Sequence, residues 1–302
     1  MLRPWAERSD VQTVSIFGVG LIGGSFGLAL RKAGFTGRII GVSSPATITR
    51  AIELGVIDEG RGALDAAGQS DLVFLAQPIR AIIETIGSIA PVVSPNAFVT
   101  DAGSTKSSIL AALAGFLQAG SFVGGHPLAG RERRGVDAAS ADLFQGRPWA
   151  LTPANPDDLG TPKCAEFVGW IERIGASPLV LEAPEHDRIA ALTSHLPQLA
   201  STALAATLED AFAGRPPALR GPGLEDMTRL ALSSWEVWRD ILDTNRGNVT
   251  AALEAWIETL GHLRGLLASG DDGDIQGFFQ RAAAFATVVR RAQSDSQDNI
   301  FT

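Results

Sequence analysis

Five segments of this chain combine glycine or proline with side chains able to hold an anion, move a proton or grip a carboxylate. In Gly18-Val-Gly20-Leu21-Ile22-Gly23-Gly24-Ser25 the glycines follow the apolar run Val14-Ser-Ile-Phe17 and open a helical stretch. Strand, glycine turn and helix in that order grip a pyrophosphate. Gly18 permits the tight turn, Gly20 lets the phosphates approach the backbone, Gly23 lets the helix pack on the strand, and the helix N-terminus faces the anion. The plainer alternative is a glycine-rich turn that serves packing alone. Asp101-Ala-Gly-Ser104-Thr105-Lys106 also follows a strand and opens a helix. Its Ser104 hydroxyl is expected near the nicotinamide end of a bound dinucleotide, or else acts as a helix N-cap. In Gly124-Gly125-His126-Pro127-Leu-Ala-Gly130-Arg-Glu132, glycines and a proline are expected to hold His126 on a rigid, open turn. An imidazole with an ordinary pKa of about 6.5 can take or polarise a hydroxyl proton near neutral pH there.

In Thr193-Ser194-His195-Leu196-Pro197-Gln198 a proline falls inside a helical run. Either it kinks the helix and presents Ser194 and His195, or the helix starts near Pro197. Gly221-Pro-Gly223-Leu-Glu225-Asp226-Met-Thr-Arg229 places a guanidinium among small and apolar residues. It can bind a carboxylate through two parallel hydrogen bonds, or pair with Asp226 or Glu225.

These groups need rigid elements behind them, and the chain has the length and composition to supply them. Its 302 residues allow two domains, with 45% hydrophobic and 19% charged residues as in ordered globular proteins. Apolar strands at 14–17, 38–42, 71–75 and 97–100 alternate with helical stretches at 22–34, 46–54, 79–90 and 105–119. That alternation implies a parallel, doubly wound sheet, because parallel neighbours need crossover helices. Residues 122–123, 149–152 and 178–181 read as its later strands, with a helix over 163–175. From Pro184 onward the apolar period is helical, with stretches near 185–213, 224–243, 245–268 and 273–294, and 294–302 reads as a loose polar tail. The expected organisation is a Rossmann-type dinucleotide-binding domain over 1–182 and an all-helical domain over 183–302.

Other classes of function are disfavoured. A net charge of −8 without a basic block argues against nucleic acid, which clustered cations must neutralise. No apolar run reaches the ~20 residues of a membrane span, and no secretory pattern precedes Val14. A single cysteine, Cys164, rules out an intramolecular disulfide and a cysteine-built metal site; a reducing cytoplasm is expected.

Taken in order, Gly18-x-Gly-x-x-Gly-Gly-Ser25, Asp101-x-Gly-Ser-x-Lys106, Gly125-His-Pro-Leu-Ala-Gly-x-Glu132, Ser194-His-Leu-Pro197 and Asp226-x-Thr-Arg229 followed by Trp238-Arg-Asp-Ile241 resemble the prephenate and arogenate dehydrogenase family. The resemblance implies oxidation of a cyclohexadienol ring with loss of carbon dioxide, giving 4-hydroxyphenylpyruvate from prephenate or tyrosine from arogenate. It implies NAD or NADP as cofactor, held by Gly18, Gly20, Leu21, Ile22, Gly23, Ser43 and Ser104. His126 is implied as the base for the ring hydroxyl, with Ser104 orienting it. Arg229 is implied to anchor a substrate carboxylate, with His195, Ser194, Glu132 and Gln198 around the substrate. A homodimer through the helical domain and no metal are expected.

Two positions depart from the family pattern. Gln198 stands where a second histidine is frequent and cannot become a cation near neutral pH. Ser43-Ser44 replaces the acidic residue that would bind the ribose hydroxyls of NAD, so a 2′-phosphate is tolerated, with Arg50 within sequence reach. A β-hydroxyacid dehydrogenase, which would depend on a lysine, and a dinucleotide sensor without turnover are the alternatives.

Overall fold

The computed structural model describes residues 11–113, 122–131, 133–270 and 272–298. The expected alternation appears in it as β1 (Thr13–Phe17), α1 (Leu21–Lys32), β2 (Arg38–Val42), α2 (Pro45–Glu53), β3 (Glu59–Gly60), α3 (Ala63–Gly68), β4 (Leu72–Leu75), α4 (Ile79–Ile89), β5 (Phe98–Asp101), α5 (Ser107–Ala112), β6 (Phe122–Pro127), β7 (Pro148–Pro153), α6 (Pro162–Arg173), β8 (Ser177–Val180) and α7 (Ala183–Ala190). Starts follow local chemistry. Ser44 and Thr161 cap α2 and α6 through their side-chain oxygens, each ahead of a proline whose missing N–H costs nothing in a first turn.

The eight strands form one sheet in the order β3-β2-β1-β4-β5-β6-β7-β8. All neighbours are parallel except β6 and β7, which pair antiparallel. The strand order reverses between β1 and β4, so their carboxyl ends open the crevice where ligands of such sheets bind. Each face of the sheet is covered. Ile16, Phe74, Phe98 and Trp149 pack with Phe26 of α1 and Phe167 of α6 on one side. Phe17, Val73, Leu75 and Val99 pack with Ile79, Ile82 and Ile86 of α4 on the other.

Beyond α7 come a π-helical turn (Ala191–His195), α8 (Leu196–Phe212), α9 (Pro222–Thr228), a 3-10 turn (Arg229–Leu232), α10 (Trp235–Thr244), α11 (Arg246–Ser269) and α12 (Asp272–Asp298). The chain divides into two compact units: the sheet through Ala190 together with Leu232–Thr244, and Ala191–Ala231 together with the chain from Asn245. Helix α10 belongs to the first because Ile241 enters the core on the α4 side. The backbone N–H of Arg80 also donates to Asp240 (3.2 Å), and the Arg80 guanidinium pairs with Asp243 (2.6 Å).

Several local expectations are corrected. The short β3 and α3 carried too little apolar signal to be read. Residues 224–243 are not one helix but are interrupted by the 3-10 turn and the residues after it. The stretch 185–213 is divided by the π turn directly ahead of Pro197, which lies in the first turn of α8. A proline lacks a donor and crowds the carbonyl four residues back, and a wider turn takes up that backbone. Part of the supposed tail is helix, since α12 runs to Asp298.

Candidate active site

At the end of β1, Gly18 has φ +85°, and a Cβ on it would lie 2.5 Å from the Ala76 carbonyl oxygen at the end of β4. Only glycine turns there and lets the two strand ends meet. Gly20 is different, since a Cβ would meet no atom within 4 Å. It is the N-cap of α1, with no side-chain cap and no acid in the first turn. The first-turn amides and the positive end of the helix therefore face open space, the condition for holding an anion. A cavity of about 400 Å³ opens there, lined by Leu21 and Ile22, by residues 76–79 and 102–104, by Arg131, Arg133 and Arg134, and by Trp238 and Ile241 among others. These features fit a dinucleotide. Ser104 is half-buried and lines the cavity, whereas Ser43 is exposed beyond β2 and does not. Arg50 bonds Asp137 (2.7 Å) and Glu53 (2.9 Å), so its guanidinium is already engaged.

His126 lies in a strand, not on an open turn. It pairs in register with Ala150 of β7 and is 8% exposed. The glycines before it are demanded by packing: a Cβ on Gly125 would lie 2.4 Å from the Asp101 carbonyl oxygen, and one on Gly124 2.3 Å from the Thr152 hydroxyl. Glycine weakens a strand signal, which is why this one reads as a loop.

Two buried carboxylates organise the residues around His126. Asp101 accepts the backbone N–H groups of Gly103 (2.7 Å) and Gly125 (3.1 Å) and pairs with the Lys106 ammonium, which also donates to the Gly125 carbonyl (2.7 Å). One ion pair thus clamps the residue before His126 and the residue before Ser104. Burial pulls the Lys106 ammonium below its ordinary value, while Asp101 and Asp187 oppose that shift.

The second carboxylate, Asp187, accepts the backbone N–H groups of Lys106 (2.7 Å) and Ser107 (2.9 Å) and thereby caps α5 from 80 residues away. Ser104 is therefore not the N-cap of α5. His186 Nδ1 lies 2.9 Å from the same carboxylate, and His186 Nε2 lies 2.9 Å from His126 Nδ1. Burial pushes the Asp187 carboxyl up, but hydrogen bonds from His186, Ser107 and the Lys106 amide outweigh it and hold the group below its ordinary value. His186 and Asp187 were missed from the sequence. The only signal was a His-Asp dipeptide at the start of the helical half, with nothing to say what it faces.

Within the second unit, Ser194 is half-buried and His195 buried on the π turn, a helix defect that recurs at functional sites. His195 Nδ1 lies 3.3 Å from the Asn245 side-chain amide, whose oxygen accepts from Asn248 (2.8 Å). Gln198 is buried; its Nε2 donates to the Leu230 carbonyl (2.7 Å), and the Ser201 hydroxyl accepts the Ala231 N–H (3.1 Å). Helix α8 thus holds the turn that begins at exposed Arg229. Glu132 lies outside the described residues. Among those described, no helix is long and apolar enough to cross a membrane, and no cluster of His, Cys, Asp and Glu could hold a metal ion.

Known proteins resemble this chain in sequence and fold. The family pattern described as "Prephenate dehydrogenase, nucleotide-binding domain" matches residues 26–177, and "Prephenate dehydrogenase, dimerization domain" matches 182–295. The chain is 34% identical over 274 residues to a cyclohexadienyl dehydrogenase of Zymomonas mobilis, covering 86% of this chain and 90% of that one. It is 32% identical to the crystal structure of prephenate dehydrogenase from A. aeolicus in complex with hydroxyphenyl propionate and NAD+, with a TM-score of 0.84 over 94% of this chain and 100% of that one. It is 28% identical to a Synechocystis arogenate dehydrogenase structure, with a TM-score of 0.76 over 92% of this chain and 99% of that one.

Proposed function

The chain belongs to the prephenate dehydrogenase family, and on that premise we propose that it oxidises prephenate to 4-hydroxyphenylpyruvate with loss of carbon dioxide, through His126 as the proton acceptor. It is an NAD(P)-dependent oxidoreductase with a Rossmann-type nucleotide-binding domain. The observation that carries the proposal for His126 is its burial in a hydrogen-bonded network tied to the chain segment just beyond Ser104. An imidazole there can take the ring hydroxyl proton while the C–H bond on the same carbon breaks. When bound, the nicotinamide accepts that hydride. Loss of carbon dioxide leaves its bonding pair in the ring, which becomes aromatic, and His126 returns its proton to the phenolic oxygen, so no net proton is released.

Ser104 orients the hydroxyl from the cavity wall. Arg229 anchors a substrate carboxylate, supported by its motif and by the two hydrogen bonds that hold its turn to α8. His195 and Ser194 contact the substrate from the π turn, and the contribution of Gln198 is to hold the Arg229 turn. We read residues 1–182 as the dinucleotide-binding domain and 183–302 as the substrate-binding and dimerisation domain, on the strength of the two family patterns. A homodimer through the latter accounts for the exposed Ile257, Leu260, Leu267, Phe279, Phe285 and Val288 on α11 and α12. Cys164 is buried and its thiol is pushed up to about 11, chiefly by burial; the cytoplasmic setting rests instead on the single cysteine of the sequence.

Arogenate is the second reading, favoured by the cyclohexadienyl and arogenate dehydrogenases among the relatives and by the neutral Gln198. The test is the initial rate of reduced-cofactor formation with prephenate and with arogenate, each against NAD and NADP. Turnover of prephenate that falls at least about a hundredfold in His126→Ala is expected. No turnover of either substrate by folded protein that binds cofactor would overturn the assignment.

A further inference from the structure

We propose that His186 and Asp187 form a relay that fixes the tautomer of His126 and leaves its Nε2 as the proton acceptor. The assignment follows from donor counting along three side chains that are each less than 9% exposed. An ionised carboxylate only accepts, so the His186 nitrogen facing Asp187, Nδ1, carries the hydrogen. In a neutral imidazole the other nitrogen then has the lone pair, and His186 Nε2 accepts from His126 Nδ1. His126 in turn carries its hydrogen on Nδ1 and presents the lone pair of Nε2. Reversing any link reverses the one after it.

The same carboxylate has a second task. Through the amides of Lys106 and Ser107 it fixes the start of α5, two and three residues after Ser104. The hydroxyl and the imidazole are thus referenced to one group, Asp187, although they lie on segments more than twenty residues apart. When His126 takes the substrate proton, an imidazolium forms in a buried place. The Asp187 charge stabilises it through His186 without a proton leaving Nδ1 of either ring. Among the described residues, charged groups near the relay include the Lys106–Asp101 pair and, on α7 itself, Glu185 and Arg188. His186 and Asp187 are positioning residues; neither needs to touch substrate.

This inference rests on His126 as base, and the experiment separates the two ideas. The discriminating variant is His186→Leu, which leaves both α5 amides on Asp187 and removes the acceptor that holds the hydrogen on His126 Nδ1. Without that acceptor the hydrogen moves to Nε2 of His126 and blocks the proton acceptor. The chain has only four histidines, so the 15N ring shifts of His126 can be assigned by single replacements. Wild type is expected to show Nδ1–H at His126 and His186→Leu to show Nε2–H. The kcat should fall about 10²–10⁴-fold while KM for substrate and cofactor stays within about threefold. His186→Gln, whose oxygen can still accept from His126, should retain more turnover than His186→Leu. An unchanged His126 tautomer in His186→Leu overturns the relay, as does a loss confined to KM. If His126→Ala keeps turnover the base assignment fails, and the ring shifts still decide the relay.

Discussion

Replacing Lys106 by methionine keeps the length of the side chain and removes its charge at a position with no exposed surface. Asp101, equally buried, would retain its two backbone donors but lose its counter-ion, and the Gly125 carbonyl would lose the ammonium that it accepts from. Breaking a buried pair from one side costs about 3–5 kcal/mol, because the remaining charge has neither water nor partner. Against a total stability of about 5–15 kcal/mol, that is a large loss. Lys106→Met should therefore shift urea unfolding by several kcal/mol, read from the fluorescence of the buried Trp149 and Trp170. Asp101→Asn alone strands the ammonium and should also be costly. In the double variant no charge is stranded, and its cost should fall below the sum of the singles by about 1–3 kcal/mol. A single-variant loss below about 1 kcal/mol, or costs that simply add, would refute the view that this pair clamps the backbone beside His126 and Ser104.

Further outcomes follow from named contacts. Gly20→Ala should change stability by less than about 0.5 kcal/mol, since its Cβ meets nothing, yet weaken dinucleotide binding at least about tenfold by titration calorimetry; Gly18→Ala should lower stability measurably. Ser43→Asp adds a carboxylate beyond β2 that can accept from a ribose 2′-hydroxyl and repels a 2′-phosphate. It should raise the ratio of kcat/KM for NAD over NADP at least about tenfold. Arg229→Ala should raise KM for the dianionic substrate about 10–100-fold and leave cofactor KM within about twofold in steady-state kinetics. Asp187 has a folded value below its ordinary 3.8, so its share of stability is present above that pH and is lost as pH falls through the folded value. The stability gap between wild type and Asp187→Asn should accordingly hold from pH 7 to about 5 and narrow below about 4 in acid unfolding.

Where a residue's task depends on near neighbours in the chain, it was legible before any fold was known. The strand at 14–17, the turn at Gly18 and the helix after it follow from hydrophobic period and glycine spacing, as do the alternation that makes a parallel sheet and the helical period after Pro184. His126, Ser104 and Arg229 stand out because reactive side chains lie among glycines and prolines whose geometry is local. Local spacing could not tell that Gly124 and Gly125 belong to a strand, since their demand for glycine comes from Asp101 and Thr152 on other strands. Nor could it find that α5 takes its cap from Asp187, or that His186 reaches His126 across sixty residues. Those contacts exist only once the sheet has brought β5, β6 and α7 together, because buried donors and acceptors choose partners by proximity in space.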